Sequence, residues 1–551
     1  MPSILMILIA VVWLAGAIWR ITRQARFYQI EEYMSLRYLR WVWTEQGRWL
    51  PWRPIGAYAV GALMALLGDS IPQGFSIIPY LACLIAAGIG IIPPAEGEIK
   101  KKFVATQRAK RLLGTAYVLV GLFVLVGLLL IPSLLPDSDR ARAIASALVG
   151  VLSLLLAPLW LVLGNLLMTP VEAYLRQRFI QRAKGVLAQV RPKVIGITGS
   201  YGKTTTKVFL RDILSGRYKT YATPKSYNTM MGVCIAINND MANDYSIEYF
   251  ICEMGAYIPG EIARICSLTP PDISIVIEVG PQHLERFGSL ENIAIAKYEI
   301  IKALKPEGLG IFNYDNPYVR QMYERKHPQH RIAVSTQLSP EQARAIPEGP
   351  RFIADDIQET LTGLAFRVTD LHTEKQEIFF APVVGRHNVL NIVLATAIAV
   401  HEGMTLKDVA LRVRALTPAE SRLVRQTDEQ GILLINDAYS ANPVGIVSAL
   451  NVLNLYQNGR RVVITPGMVE LGDLHEQENR RLGVLATQYA TDIILVGEKQ
   501  TAPIQAGVRS TNFPPERLQV VQTLSEALTW YKQHLTAGDT VLFLNDLPDT
   551  Y

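Results

Sequence analysis

The segment from Val194 to Leu214, VIGITGSYGKTTTKVFLRDIL, carries the densest chemistry in the sequence. A β-branched apolar run (Val194, Ile195, Ile197) leads into Gly199 and Gly202, and Lys203 opens a stretch where Val208, Leu210 and Leu214 recur at helical spacing. Strand, glycine-rich loop and helix in that order make a phosphate cradle. Glycine lets backbone N–H groups turn inward around a polyphosphate, and the helix start adds its positive dipole end. Gly199, Ser200 and Gly202 line this cradle and Lys203 reaches the terminal phosphates; of the hydroxyls that follow, Thr204 and Thr205, Thr204 can hold Mg²⁺. The strict P-loop spacing wants glycine where Ile197 stands, so the loop is a variant.

Further chemistry-bearing residues follow at strand ends. The run Tyr249–Cys252 reads as a strand that delivers Glu253 at its carboxyl end, where ligands of open α/β sheets collect and a carboxylate can see a metal on the phosphate loop. A helix-capping role is the other reading of that residue. The buried-strand run Ile273–Val279 ends in GPQHLERFGSLENIAIAKYEII, with His283 just past the strand and Lys297 on the helix after it. Taken alone, a loop histidine reads equally as structure and a helical lysine as a solvated face. Asn313 follows another strand in IFNYDNPYV. In GRHNVLNIVLATAIAV, Asn388 and Asn391 stand three apart and share a helical face, although asparagine also serves as an N-cap. Arg422 in PAESRLV and Asp437 in INDAYSANP complete the set.

These residues sit in the last two thirds of a 551-residue chain, half of whose residues are hydrophobic. The apolar excess lies before Thr169, in stretches Ile4–Trp19, Ile55–Leu67, Ile77–Ile92, Ala116–Leu135 and Ile144–Met168. About 20 residues are needed to cross hydrocarbon, so the fourth and fifth reach or approach that length and the second is short enough to be tilted or re-entrant. Arg20, Arg23, Arg26, Arg37, Arg40, Arg48 and Arg53 follow the first stretch, and Lys100, Lys101, Lys102, Arg108, Lys110 and Arg111 follow the third. Both basic loops are expected in the cytoplasm, which gives about five crossings, an outside N-terminus, and a cytoplasmic chain after Pro170. The net charge of +6 is largely this arginine and lysine, which points to anionic lipid headgroups and not to nucleic acid. The first stretch lacks a basic start and a small-residue cleavage site, unlike a signal peptide. Cys83, Cys234, Cys252 and Cys266 show no metal spacing and read as reduced packing residues.

Taken together, GKTT, Glu253, His283 and Lys297 in this order resemble the Mur ligase family, the ATP-dependent amide ligases of peptidoglycan synthesis. The likeness covers roughly Val194 to Gly497 and includes HLERFGSLENIAIAKYEI, GRHNVLNIVLA, DAYSANP and GMVELGDLHEQENRRLG. Within the family it is nearest the type that couples D-alanyl-D-alanine to a UDP-N-acetylmuramoyl-tripeptide. The apolar stretches give a helical transmembrane region (1–170) and a juxtamembrane linker (171–192) along the membrane face, and the resemblance implies an α/β fold after it: a P-loop central ATP-binding domain (193–417) and a small Rossmann-like domain (418–551). It implies ATP and two Mg²⁺ ions, one on Thr204 and Glu253, the other on His283 and Lys297, the lysine as a carbamate. It places Asn388 and Asn391 at the adenine, with Asn313 among the ATP-binding residues and Gly385 and His387 shaping the loop. Arg422 meets the phosphates and Asp437 the ribose. Three features depart from the pattern. The family's N-terminal UDP-sugar-binding domain is replaced by the apolar region, Ser421 stands where glycine is usual, and the ending LFLNDLPDTY lacks the usual lysine-glycine-serine.

The expected activity is therefore carboxylate activation as an acyl phosphate and its coupling to an amino acid or dipeptide. The partners are a small-molecule or lipid-linked cell-wall precursor and membrane lipids, at the inner membrane with the catalytic domains in the cytoplasm. A membrane-anchored ligase making another polymer, such as capsular poly-γ-glutamate, shares the mechanism. A P-loop-driven transporter is disfavoured by the scarcity of ionisable residues in the apolar stretches.

Overall fold

The computed structural model describes residues 2–31, 33–44, 51–67, 77–93, 103–135, 138–438 and 441–545. The described residues divide into two compact units, one up to Arg178 and the other from Phe179 onward.

The first unit is helical. Two helices, Ser3–Ile30 and Gln107–Leu134, are each 28 residues long and apolar, about 42 Å at 1.5 Å per residue against roughly 30 Å of hydrocarbon. Asp139–Leu155 and Ala157–Val190 make a third candidate span, broken by a 64° bend. Trp52–Leu67 and Ile78–Gly90 have only 16 and 13 residues. A 13-residue helix reaches about 20 Å, so the expectation of five crossings falls to two or three candidates. The basic loops also change. Arg20, Arg23 and Arg26 lie on the first helix, because arginine and glutamine are good helix formers and extend it past its apolar part. Arg20 is buried and donates to Leu154 O (3.0 Å) and Leu155 O (3.5 Å), two carbonyls at the break between the helices. Trp13 is fully buried at the centre of this unit, and a Cβ on Gly90 or Gly150 would run into its ring, so both helices need glycine to close on it. Arg48, Lys100, Lys101, Lys102 and residues 136–137 lie outside the described residues.

The stretch expected as a separate linker is part of the 34-residue helix Ala157–Val190, which runs through Pro170 without a break. Its end enters the second unit: Ala183, Val186 and Val190 pack with Val194, Phe250 and Ile262.

The second unit holds two sheets. The central one contains β1 (Lys193–Thr198), β2 (Thr220–Ala222), β3 (Tyr249–Glu253), β4 (Ile273–Val276), β5 (Leu309–Asn313), β6 (His330–Ser335), β7 (Phe352–Glu359), β8 (Leu364–Asp370) and β9 (Lys375–Ala381). The order is β2-β3-β1-β4-β5-β6-β7-β8-β9. It is parallel through β7, and β8 and β9 are added antiparallel. The parallel strands are buried almost throughout, as continuous apolar runs with helices on both faces require. The second sheet, β10 (Val424–Thr427), β11 (Leu433–Asp437), β12 (Arg461–Thr465), β13 (Asp492–Val496), β14 (Leu518–Val521) and β15 (Thr540–Leu544), runs β10-β11-β15-β12-β13-β14, with only β10 antiparallel. Between the sheets the chain turns through Ser421 (φ +55°) and Leu423 (φ +49°). That left-handed backbone is why glycine suits the position of Ser421.

Candidate functional site

Strand register builds the site. β1 lies between β3 and β4, pairing Ile197 with Glu253 on one side and Thr198 with Val276 on the other. The carboxyl ends of all three strands therefore meet where Gly199–Gly202 turns into the helix Lys203–Leu214. The turn needs its glycines. A Cβ at Gly199 would come 3.0 Å from Ile277 Cβ, and Gly202 has φ +78° with Asn391 Oδ1 2.7 Å from where its Cβ would be. Ser200 is spent on holding the loop: its N–H donates to Glu278 O (2.7 Å) and its hydroxyl exchanges hydrogen bonds with Gly280 (3.0 Å). Lys203 folds over the loop, donating to Gly199 O (2.6 Å) and Ser200 O (3.2 Å). Burial pulls its ammonium down to about 8, against the pull of Glu253. A polyphosphate offers this cation charged acceptors in place of neutral carbonyls.

Glu253 is 1% exposed and fully engaged. It accepts from Thr204 Oγ1 (3.1 and 3.3 Å), from Asn228 Nδ2 (3.1 Å) and from Lys207 Nζ (2.9 Å). Lys207 also donates to the Lys225 carbonyl, tying the loop after β2 to the same carboxylate. A carboxylate and a hydroxyl in contact beside a phosphate cradle form a hard oxygen donor pair, the chemistry Mg²⁺ takes together with substrate phosphates. Among the described residues no three His, Cys, Asp or Glu side chains gather as a metal cluster. His283 hydrogen-bonds Glu470 through Nδ1 and packs edge-on against Tyr257. Lys297 is 3% exposed on the helix Leu290–Lys302, and burial together with nearby Lys203 holds its amine well below the usual lysine range. A neutral amine is the form that can add CO₂.

A cleft opens between the two sheets. Its walls include Gly202, Thr205, His387, Asn388, Asn391, Arg422 and Asp437. Asn391 accepts from Thr206 (3.1 Å) and donates to Asn388 (3.1 Å), which donates to Val384 O (2.7 Å). Gly385 has φ +91° and donates to Glu359. His387 bonds Ser448 (2.7 Å), and burial with the Arg422 cation lowers it to about 4. Burial raises Asp437 to about 6 against the pull of Arg422. Asn313 is buried at the end of β5. It is not among the residues lining the cleft, and its side chain accepts from Asp315 N (2.9 Å), closing the turn after β5. Tyr439 and Ser440 of DAYSANP, and the ending from residue 546, lie outside the described residues.

Sequence reading missed Lys207, Asn228, Glu278 and Glu470. Lys207 stands four residues after Lys203, so its side chain follows the same helix face, which is the one signal that pointed to it. Glu278 lines the cleft, and burial with the Asp315 carboxylate pushes it up to about 7.

Residues 197–399 match the family model described as Mur ligase middle domain, and residues 421–545 the one described as Mur ligase, glutamate ligase domain. The chain is 28% identical over 364 residues to UDP-N-acetylmuramoyl-tripeptide–D-alanyl-D-alanine ligase of Bacillus subtilis, covering 66% of this chain and 75% of that protein. It is 31% identical over 333 residues to the protein of the same name from Escherichia coli, covering 60% and 70%. Among solved structures, MurF from Acinetobacter baumannii superposes with TM-score 0.57 at 27% identity over 67% of this chain and 77% of that one. MurF ligase from Thermotoga maritima in complex with ADP has TM-score 0.57 at 22% identity, over 67% and 80%, a likeness of fold.

Lys207→Met leaves the Glu253 carboxylate buried without its cation. The expected loss is about 3–5 kcal/mol of unfolding free energy, read by denaturant titration; a loss under about 1 kcal/mol contradicts this account of the pair. A carboxyl raised from 4.5 to about 7 by folding favours its protonated form, so its contribution is complete below pH 4.5 and is lost as pH rises to 7. Glu278→Gln is therefore expected to melt a few degrees above the parent at pH 8, with the gap closing by pH 4.5.

Proposed function

The chain belongs to the Mur ligase family, ATP-dependent ligases that form C–N bonds, and on that premise we propose that it joins D-alanyl-D-alanine to a UDP-N-acetylmuramoyl-tripeptide in peptidoglycan precursor synthesis. The observation that carries the reading is the contact of Thr204 with Glu253 beside the Lys203 loop, next to a cleft whose walls include Gly202, Arg422 and Asp437. That arrangement suits a nucleoside triphosphate, phosphates on the loop and base toward Asn388 and Asn391.

The loop amides and Lys203 hold the γ-phosphate in line with the tripeptide carboxylate, whose oxygen attacks phosphorus and releases ADP. The dipeptide amine then attacks the acyl carbon and phosphate leaves, giving the amide. Thr204 and Glu253 would hold one Mg²⁺, and His283 with a carbamylated Lys297 a second, which would supply charge neutralisation along the phosphate oxygens. The protein's own work is alignment and fixed positive charge. Arg422 and Asp437 belong to the second sheet's domain and Lys203 to the first, so the site is complete only when the two domains meet. Relatives named for the D-alanyl-D-alanine reaction favour it over polymer synthesis, and two ligase domains in sequence disfavour a transporter.

The first unit supports a placement at the cytoplasmic face of a membrane. Two short helices that dip in and return on one side leave the parity of crossings unchanged, so three spans and five give the same orientation.

The test is phosphate release by detergent-solubilised protein given ATP, UDP-N-acetylmuramoyl-tripeptide and D-alanyl-D-alanine. Release is expected to need all three, and Lys203→Ala to lower kcat by about 10²–10³-fold or more. Lys297→Ala should fall and partly recover with added short carboxylates. Release that ignores the dipeptide would remove the acceptor assignment. For orientation, Thr106→Cys and Ser138→Cys should react with a membrane-impermeant thiol reagent from opposite sides of intact cells, Ser138→Cys from outside. The four natural cysteines are buried and give little background; equal labelling of both would end the membrane placement.

A further inference from the structure

Glu470 has no role so far, yet the fold takes trouble to place it. It lies in PGMVELGDL, the loop leaving β12, between Met468 (1% exposed) and Leu471 (3%), both anchored in the core of the C-terminal domain. Asn479 grips Met468 from both sides, accepting from its N–H (2.8 Å) and donating to its carbonyl (3.0 Å). Glu470 itself is held at φ +59°, where a residue with a side chain seldom sits. Two residues on, Gly472 is at φ +54°, and a Cβ there would lie 3.5 Å from Glu285 N, so the loop reaches the central domain backbone to backbone.

The side chain completes that contact. Glu470 Oε2 hydrogen-bonds His283 Nδ1, and Arg286 approaches the same carboxylate at 3.7 Å. Tyr257 packs edge-on against the imidazole, ring centroids 4.6 Å apart, and carries the Arg286 guanidinium 4.5 Å above its own ring. His283 is likewise left-handed, at φ +54°. Two strained residues, one from each domain, thus face each other, and such strain gathers where geometry matters to function.

An imidazole whose Nδ1–H donates to a carboxylate carries its lone pair on Nε2, with the ring held in one orientation. We propose that Glu470 is a positioning residue for His283: reaching across from the C-terminal domain, it fixes the tautomer and ring orientation that present Nε2 to a divalent cation, so that this cation site forms only when the domains meet. The inference rests on the reading of His283 as a metal ligand. It gives domain approach a direct chemical consequence in the central domain, separate from the delivery of Arg422 and Asp437.

The test uses full-length protein with Mn²⁺ and the non-hydrolysable analogue AMP-PNP. Free Mn²⁺ is followed by electron paramagnetic resonance, and imidazole ¹⁴N coupling by electron spin-echo modulation. The parent is expected to show a tight and a weak class of Mn²⁺ site, with nitrogen coupling on the weak one. Glu470→Ala should weaken that class by about 10–100-fold and remove the coupling, leaving the tight class and AMP-PNP affinity unchanged. Glu470→Gln keeps the shape and a weaker acceptor, so it should show a smaller loss in the same class and guards against a failure of the alanine variant to fold. Parent-like weak-site affinity in Glu470→Gln, with the weak class lost in His283→Ala, would overturn the role of Glu470. An unchanged weak class in His283→Ala would overturn the ligand reading itself and the inference with it.

Discussion

A buried negative charge governs the catalytic half of this protein. The Glu253 carboxylate stands at the end of a central strand with almost no access to water, and a lone carboxylate there would cost several kcal/mol. Lys207, Thr204 and Asn228 remove that cost, from two different segments. Lys207 and Thr204 fix the rotation of the helix that follows the phosphate loop, and Asn228 with the Lys225 carbonyl fixes the loop after β2. One charge therefore sets the relative placement of three segments around the point where phosphates and cation would lie. The same donors that satisfy the carboxylate keep its oxygens beside the Thr204 hydroxyl.

The second constraint is that no single domain carries the whole set. The parallel order of β3, β1 and β4 gathers Glu253, the loop and the approach to His283 at one sheet edge, as a doubly wound sheet must. Arg422 and Asp437 lie past the turn through Ser421 and Leu423, on the other sheet. Left-handed backbone in residues with side chains marks both the hinge and the Glu470–His283 contact. The domain interface is thus specified by backbone geometry as well as by side-chain chemistry, which fits a reaction in which carboxylate, triphosphate and amine must be aligned before any bond changes.

The helical unit obeys different physics. Gly90 and Gly150 let its helices close on Trp13, and its buried cation, Arg20, is satisfied by carbonyls at a helix break. Hydropathy located the apolar stretches, but among the described residues only two or three candidate spans have the length to cross. Composition reports how apolar a stretch is, whereas helix length depends on where turns and proline interrupt hydrogen bonding.

The sequence by itself determined what depends on neighbours along the chain. The phosphate loop follows from glycine spacing between a strand and a helix, Glu253 from its place at the end of an apolar run, and the shared face of Asn388 and Asn391 from an interval of three on a helix. Family resemblance added Arg422 and Asp437, and both line the cleft. The antiparallel pair β8 and β9 passed unnoticed, since edge strands that mix exposed polar with buried apolar residues lack the continuous apolar runs of the central strands. Asn313 was assigned by resemblance alone, and only the course of the chain after β5 shows its side chain closing a turn. Lys207 reads as one more helical lysine until β3 brings Glu253 beside it, and Glu470 gains meaning only when β12 and β4, nearly two hundred residues apart, bring their loops together. Such partners are chosen by strand order and domain packing, and charge on a side chain says nothing about which distant strand end will satisfy it.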